Sequence, residues 1–254
     1  MNRKIASIYL GAIAVTTSSV AWPQDAAPSA NWAVGAAAVS SASPYRSYDR
    51  TVWPIPVVNY NGSDFYLTGL DGGVYLAKHA DYDISIDASI ATNYFDPSDT
   101  SNPQLKQLKT RDPSLMAGVR FRHRADWGQV QVNIAQDVSG NSKGQTAQVE
   151  YAYPVVSGAL TLIPSVGDSW ASSTFSDYYF GVSSNDAARS GLSYYHPDAS
   201  WSPYVKLIAS YRISTNWSAF TQVRYTHLNK AISDSPMVDS TGLTTYLVGV
   251  LYHF

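Results

Sequence analysis

Residues 128–138 read GQVQVNIAQDV, with Val130, Val132 and Ile134 on one side and Gln129, Gln131 and Asn133 on the other. A strict period of two marks a strand with one apolar and one polar face. The pattern recurs along the chain. Ile84, Ile86, Ala88 and Ile90 alternate with Asp83, Ser85, Asp87 and Ser89. Leu115, Ala117, Val119 and Phe121 alternate with Met116, Gly118, Arg120 and Arg122. Ala147, Val149, Tyr151 and Tyr153 alternate with Thr146, Gln148 and Glu150. No long segment carries a helical period, so the chain is all-β.

A soluble sandwich hides the apolar face, whereas a transmembrane barrel turns it to lipid and keeps the polar face inside. Three features favour the barrel. Charges sit at mid-strand on the polar faces, at Asp83, Asp87, Arg120, Glu150, Lys206 and Arg224. Many alternating runs reach about ten residues, enough to cross a bilayer at a tilt. Charged residues are only 14% of the chain while Tyr numbers 19 and Trp 7, against roughly 25% charged in an ordinary soluble domain. The net charge of −2 gives no basic surface for nucleic acid. With no cysteine, a disulfide framework is excluded, and a large core or a closed sheet must hold the chain together.

The N-terminus fits this reading. Arg3 and Lys4, an apolar run from Ile5 to Val15 and the small residues at Ser19-Val20-Ala21 predict a secretory signal peptide over 1–21. A Pro/Ala/Ser linker follows over 22–30, and the barrel occupies 31–254. Strands are expected at about 31–40, 64–78, 82–94, 113–124, 128–138, 145–155, 158–167, 203–213, 216–228 and 243–254. This antiparallel transmembrane β-barrel of ten strands has both ends in the periplasm, short periplasmic turns and long extracellular loops. Trp32, Trp127, Trp217 and Phe254 then fall at the periplasmic rim. Pro54 and Pro56 argue against a central strand, so PIPVVNYNGSDFY and the strand-like SDYYFGVSS are placed in extracellular extensions. The alternative has twelve strands, splitting 64–78 at Asp71-Gly72-Gly73 and pairing Val57–Tyr60 across Asn61-Gly62.

The search for chemistry yields no catalytic, metal or cofactor site. His196, in a long loop near Tyr194, Tyr195 and Asp198, is the one histidine a hydrolase could use. No Gly-x-Ser-x-Gly accompanies it. The inward charges are more informative: Arg120, Arg122, Lys206, Arg212 and Arg224 oppose Asp83, Asp87 and Glu150. They predict an ion-paired interior that rigidifies a narrow barrel; the alternative is a selectivity strip for an anionic solute. Tyr178, Tyr179, Tyr194, Tyr195 and Trp201 gather in one loop as candidate contacts for a partner. The ending TYLVGVLYHF places Tyr246, Val248, Val250, Tyr252 and Phe254 on the lipid face. Its Gly249, Tyr252 and Phe254 resemble the Gly-x-x-aromatic-x-aromatic signal read by the barrel-assembly machinery, with Leu247 where a polar residue is usual.

Longer stretches carry a further resemblance. YYFGVSSNDAARSGLSYY (Tyr178–Tyr195), RYTHLNKAISDSPMV (Arg224–Val238), GVLYHF and SPYRSYDRTVWPIPVVNY (Ser43–Tyr60) are similar to the MipA/OmpV family of Gram-negative outer-membrane proteins. The chain departs from the family's early pattern in having Ser47 where a glycine often follows the Pro-Tyr pair. The resemblance implies a non-enzymatic barrel in the outer membrane, in contact with its lipid. It also implies a scaffold linking a murein lytic transglycosylase to a penicillin-binding protein. A small-solute channel and a surface adhesin or stress-related barrel are the alternatives. The family offers no catalytic residues to carry over.

Overall fold

The computed structural model describes residues 32–48 and 51–254, so the expected signal peptide (1–21) and linker (22–30) lie outside the described residues. Its strands are β1 (Trp32–Ser41), β2 (Thr51–Asn61), β3 (Phe65–Thr68), β4 (Asp71–Lys78), β5 (Tyr82–Ile90), β6 (Leu115–Ala125) and β7 (Gly128–Asp137). There follow β8 (Gln145–Ala152), β9 (Val155–Ser157), β10 (Leu160–Ala171), β11 (Ser200–Arg212), β12 (Trp217–His227) and β13 (Gly242–His253). All belong to one antiparallel sheet, which closes where β13 pairs with β1 from Ala33–His253 to Ser41–Thr245. The three-residue β9 pairs with β10 alone, continuing the line of β8 past Tyr153 and Pro154. The other twelve strands form the wall, so the count is the twelve-strand alternative rather than ten.

The two extra wall strands come from β2 and from the division of 64–78 into β3 and β4. The chain turns at Gly69-Leu70, just before the predicted split, with Gly69 at φ +60°. Residues 51–61, expected in a loop, form a full strand against β1. The prolines permit this because of where their missing N–H groups would point. Val58 accepts from the Gly69 N–H at 3.0 Å, so even-numbered residues of β2 turn their backbone groups away from β1. Pro54 and Pro56 are even, and the β2–β3 ladder covers only Asn59–Asn61. Proline is tolerated at such an edge.

Apart from the Gly69-Leu70 turn within the wall, the short turns lie at one end, with β1 beginning and β13 finishing there. That end carries a chain of ring contacts: Trp32–Tyr60 and Tyr60–Phe65 at 4.5 Å, Trp217–Tyr252 at 5.3 Å and Tyr252–Phe254 at 5.2 Å. Trp127 stacks on Tyr151 at 6.1 Å. This is the periplasmic aromatic belt, where an amphipathic ring has both an apolar and a wet neighbour.

The opposite end is closed by its loops. SDYYFGVSS is not a strand there: Ser173–Phe180 is helix α1, and Ser184–Ser190 is helix α2. Ser172 caps α1 by accepting from the Phe175 N–H at 3.2 Å, and Phe175 and Tyr179, four apart, share its buried face. A third helix, α3 (Lys230–Ser233), stands in the last loop. Tyr45, Phe95, Leu105, Phe175, Tyr179, Phe180, Val182, Met237 and Val238 bury one another from four of these loops. Each such side chain contributes about 1.5–3 kcal/mol relative to exposure.

Candidate functional site

Register fixes which residues face the lumen. Asp83 lies beside Arg122 across β5–β6, Gln131 beside Glu150 across β7–β8, and Lys206 beside Arg224 across β11–β12. The eight charges singled out from the sequence, Asp83, Asp87, Arg120, Arg122, Glu150, Lys206, Arg212 and Arg224, all occupy inward positions. Seven lie within the barrel, whereas Arg212 is exposed at the periplasmic end of β11.

The interior charges form two groups. In the first, the Lys206 ammonium donates to Glu150 Oε1 at 2.8 Å and sits 2.7 Å from Oε2. Tyr204 donates to Glu150 Oε2 at 2.8 Å and accepts from Gln148 at 2.7 Å. Arg224 stacks on the Tyr204 ring at 3.6 Å and donates to Ser169 at 3.1 Å. In the second group Arg124 pairs with the fully buried Asp83. Asp87 accepts from Asn133 at 2.9 Å, and Arg122 donates to Gln131 at 3.2 Å. Arg120 lies 3.8 Å from the centroid of the Tyr66 ring.

These groups fill the space they face. Relative exposure is 7% at Arg120, 5% at Arg122, 4% at Glu150 and Lys206 and 2% at Gln222. The remaining sector of the interior is apolar, with Ala37, Val39, Ile55, Val57, Phe220 and Leu247 packed together. Charges this deep are tolerated because each meets an opposite charge, a ring face or a hydrogen-bonding neighbour.

Arg111 holds the loop cap, and no sequence signal singled it out. Its guanidinium donates to Gly181 O at 2.8 Å and to the carbonyls of Asp177 and Tyr178. A cation there completes the C-terminal turn of α1. Burial pulls the Arg111 pKa down, while Tyr45 and nearby carboxylates oppose the shift. Tyr45 donates to Tyr179 O at 3.1 Å, and Tyr179 donates to Asp112 O at 3.0 Å. Burial raises both phenols, that of Tyr179 to about 12.

The five loop aromatics therefore divide. Tyr179 is wholly buried and has no surface for a partner. Tyr178 accepts from the Asp112 N–H, and Tyr195 donates to Ala231 O at 3.1 Å. Trp201 is a strand residue, outward on β11 in register with Trp170 of β10, rather than a loop residue. Tyr194 is exposed. His196 sits with Nδ1 2.9 Å from Asp177 Oδ1, both side chains about half exposed. At the C-terminus, Phe254 is exposed at the rim. A Cβ on Gly249 would lie 2.6 Å from the Phe220 ring and 2.7 Å from Ala36 O. Packing alone thus requires a glycine there, whatever else reads the ending.

Comparison with known proteins places this geometry among relatives. The family model described as MltA-interacting protein MipA matches residues 34–254. The chain is 36% identical over 251 residues to the MltA-interacting protein of Escherichia coli strain K12, covering 99% of each. It is 27% identical to the outer membrane protein OmpV of Vibrio cholerae, covering 88% of this chain and 86% of that one. A solved NanC porin is similar with a TM-score of 0.45 at 9% identity, over 87% of this chain and 100% of that one.

Proposed function

The chain belongs to the MltA-interacting protein MipA family of outer-membrane barrels, and from that premise we propose that it is a non-enzymatic scaffold that works at its periplasmic rim. The single observation that carries the reading is the filled interior. Paired charges occupy one sector, apolar side chains the other, and the loop cluster covers the mouth. A barrel so filled offers its ends to other molecules rather than its lumen.

The periplasmic end suits a protein partner. The β9–β10 hairpin presents Val155 and Val156, each 44% exposed, on a short strand paired on one side only. An extended peptide can add to such an edge through backbone hydrogen bonds. Trp127 and Ile213, 52% and 60% exposed, lie at the neighbouring turns. The partner chemistry is taken from the family: a murein lytic transglycosylase in the periplasm, together with a penicillin-binding protein. Tyr194 at the other end faces outside the cell.

A photo-crosslinking residue placed in whole cells at Val156, and separately at Tyr194, tests this. Capture of a murein enzyme from Val156 and not from Tyr194 is expected. Capture from Tyr194 alone would reverse the orientation of the function.

A further inference from the structure

The barrel wall has a framed gap. Between β2 and β5 stand only the short β3 and β4, and β3 reaches no higher than Thr68. Above that height β2 has no strand against its far edge among the described residues. The sill is the Gly69-Leu70 turn. At that level β2 and β5 are separated by about three inter-strand spacings, roughly 14 Å. The lintel is made by two loops: Ser101 N–H donates to Ser47 O at 3.0 Å, and Tyr48 donates to Asp96 O at 2.6 Å. The gap is thus a window in the extracellular half of the wall.

Its edges are unusual in chemistry. Val52, Pro54 and Pro56 point their backbone groups into the window, and the two prolines supply carbonyls with no N–H. On the far side Ala91 N–H donates to Ser114 O on the β6 side, so Ile90 turns its own backbone groups into the window. The prolines exclude a partner strand, which needs alternating donors and acceptors. Exposed carbonyls at hydrocarbon depth need a donor, because each one left unpaired is costly. The surroundings are apolar: Val52 is 61% exposed, and Trp53 is 36% exposed although its inward neighbours Ile55 and Val57 are buried. The inward residues beside and below Trp53, Val39 on β1 and Ile55 and Val57 on β2, are buried, so the window is a recess open to lipid rather than a passage.

We propose that this window binds one outer-leaflet amphiphile whose acyl chains carry hydroxyl or amide donors close to the headgroup. The chain lies against the outward Val52 and enters the recess beside Trp53, and its donors meet the carbonyls of Pro54 and Pro56. An ordinary diacyl phospholipid has no such donors along its chains and fits only the apolar part.

Lipid A, with hydroxyacyl and amide groups, is the probe, and dimyristoyl phosphatidylglycerol the control. The full barrel is offered equal moles of both in mixed micelles and read by native mass spectrometry. One retained lipid A is expected at an about tenfold preference, the order given by one or two net hydrogen bonds. V52D, which sets a charge on the outward surface where the acyl chain lies, is expected to abolish that retention. Equal retention of the two lipids, or retention of lipid A that V52D leaves intact, overturns the proposal. Should V52D fail to fold, Trp53 gives a second reading as the fluorescence difference between the natural chain and W53F. Brominated phosphatidylglycerol is expected to quench that difference and lipid A to relieve it; quenching unaffected by lipid A overturns the proposal equally.

Discussion

Glu150 of β8 and Lys206 of β11 meet at 2.7 Å across the intervening strand β10, with side-chain exposures of 4% and 2%. They reach each other because β10 presents Gly167 between Glu150 and Tyr204. A Cβ at Gly167 would lie 2.5 Å from the Tyr204 ring. The pair therefore ties together strands that are not neighbours in the sheet.

Removing one partner leaves the other buried and charged. E150Q or K206M is expected to cost about 3–5 kcal/mol, whereas the double variant E150Q/K206M should lose much less. Urea unfolding of the barrel in lipid vesicles checks this. Additive losses in the double variant would mean that the two residues act independently.

Arg111 gives a second test, confined to the cap. R111Q leaves the carbonyls at the end of α1 without their charged donor, a loss of about 1.5–3 kcal/mol for a hydrogen bond to a charged group. Protease cleavage within residues 172–199 should rise while the heat-modifiable migration of the barrel stays the same. Unchanged cleavage would show that apolar packing alone holds the cap.

The cap should also be sensitive to alkali. Burial raises the Tyr179 phenol from its ordinary value near 10 to about 12. Its contribution is fully present below pH 10, where the phenol is protonated in both folded and unfolded states. It is lost as pH rises from 10 through 12, because the unfolded cap releases its proton first. Loop proteolysis measured against pH should increase across that window, and in Y179F the increase should be smaller.

Ser47 has φ +54°. The resemblance noted in the sequence would put a glycine at this position, and the backbone here is one that a glycine adopts at less cost. S47G removes a left-handed strain of roughly 1–2 kcal/mol, offset in part by the greater entropy of glycine in the unfolded chain. The expected result is a small gain in cap stability, read as slower cleavage of the first and second loops.

Much of this fold was legible because the chain alternates with a fixed period, which sets both the strand and its lipid face. The long loops and short turns then fixed which end faces the periplasm. What escaped depended on relations between strands. Pro54 and Pro56 forbid a paired strand on one side only, and that side cannot be told from composition. The helix at Ser173–Phe180 is too short to establish a 3.6-residue period, and its aromatics imitate a strand. Inward charges could be recognised from alternation, but the choice of Lys206 for Glu150 needed the register across β10. Arg111 lay in a segment with no pattern at all, and its role exists only once α1 ends beside it.

Conductance of the purified full barrel in planar bilayers is the most direct test of a filled lumen that leaves function to the ends of the barrel. A sealed interior predicts no steady single-channel steps at moderate voltage, and steps should emerge when E150A/K206A empties the space that the pair fills. Reproducible ion-selective steps from the natural chain would contradict it and make the interior charges a conduction path.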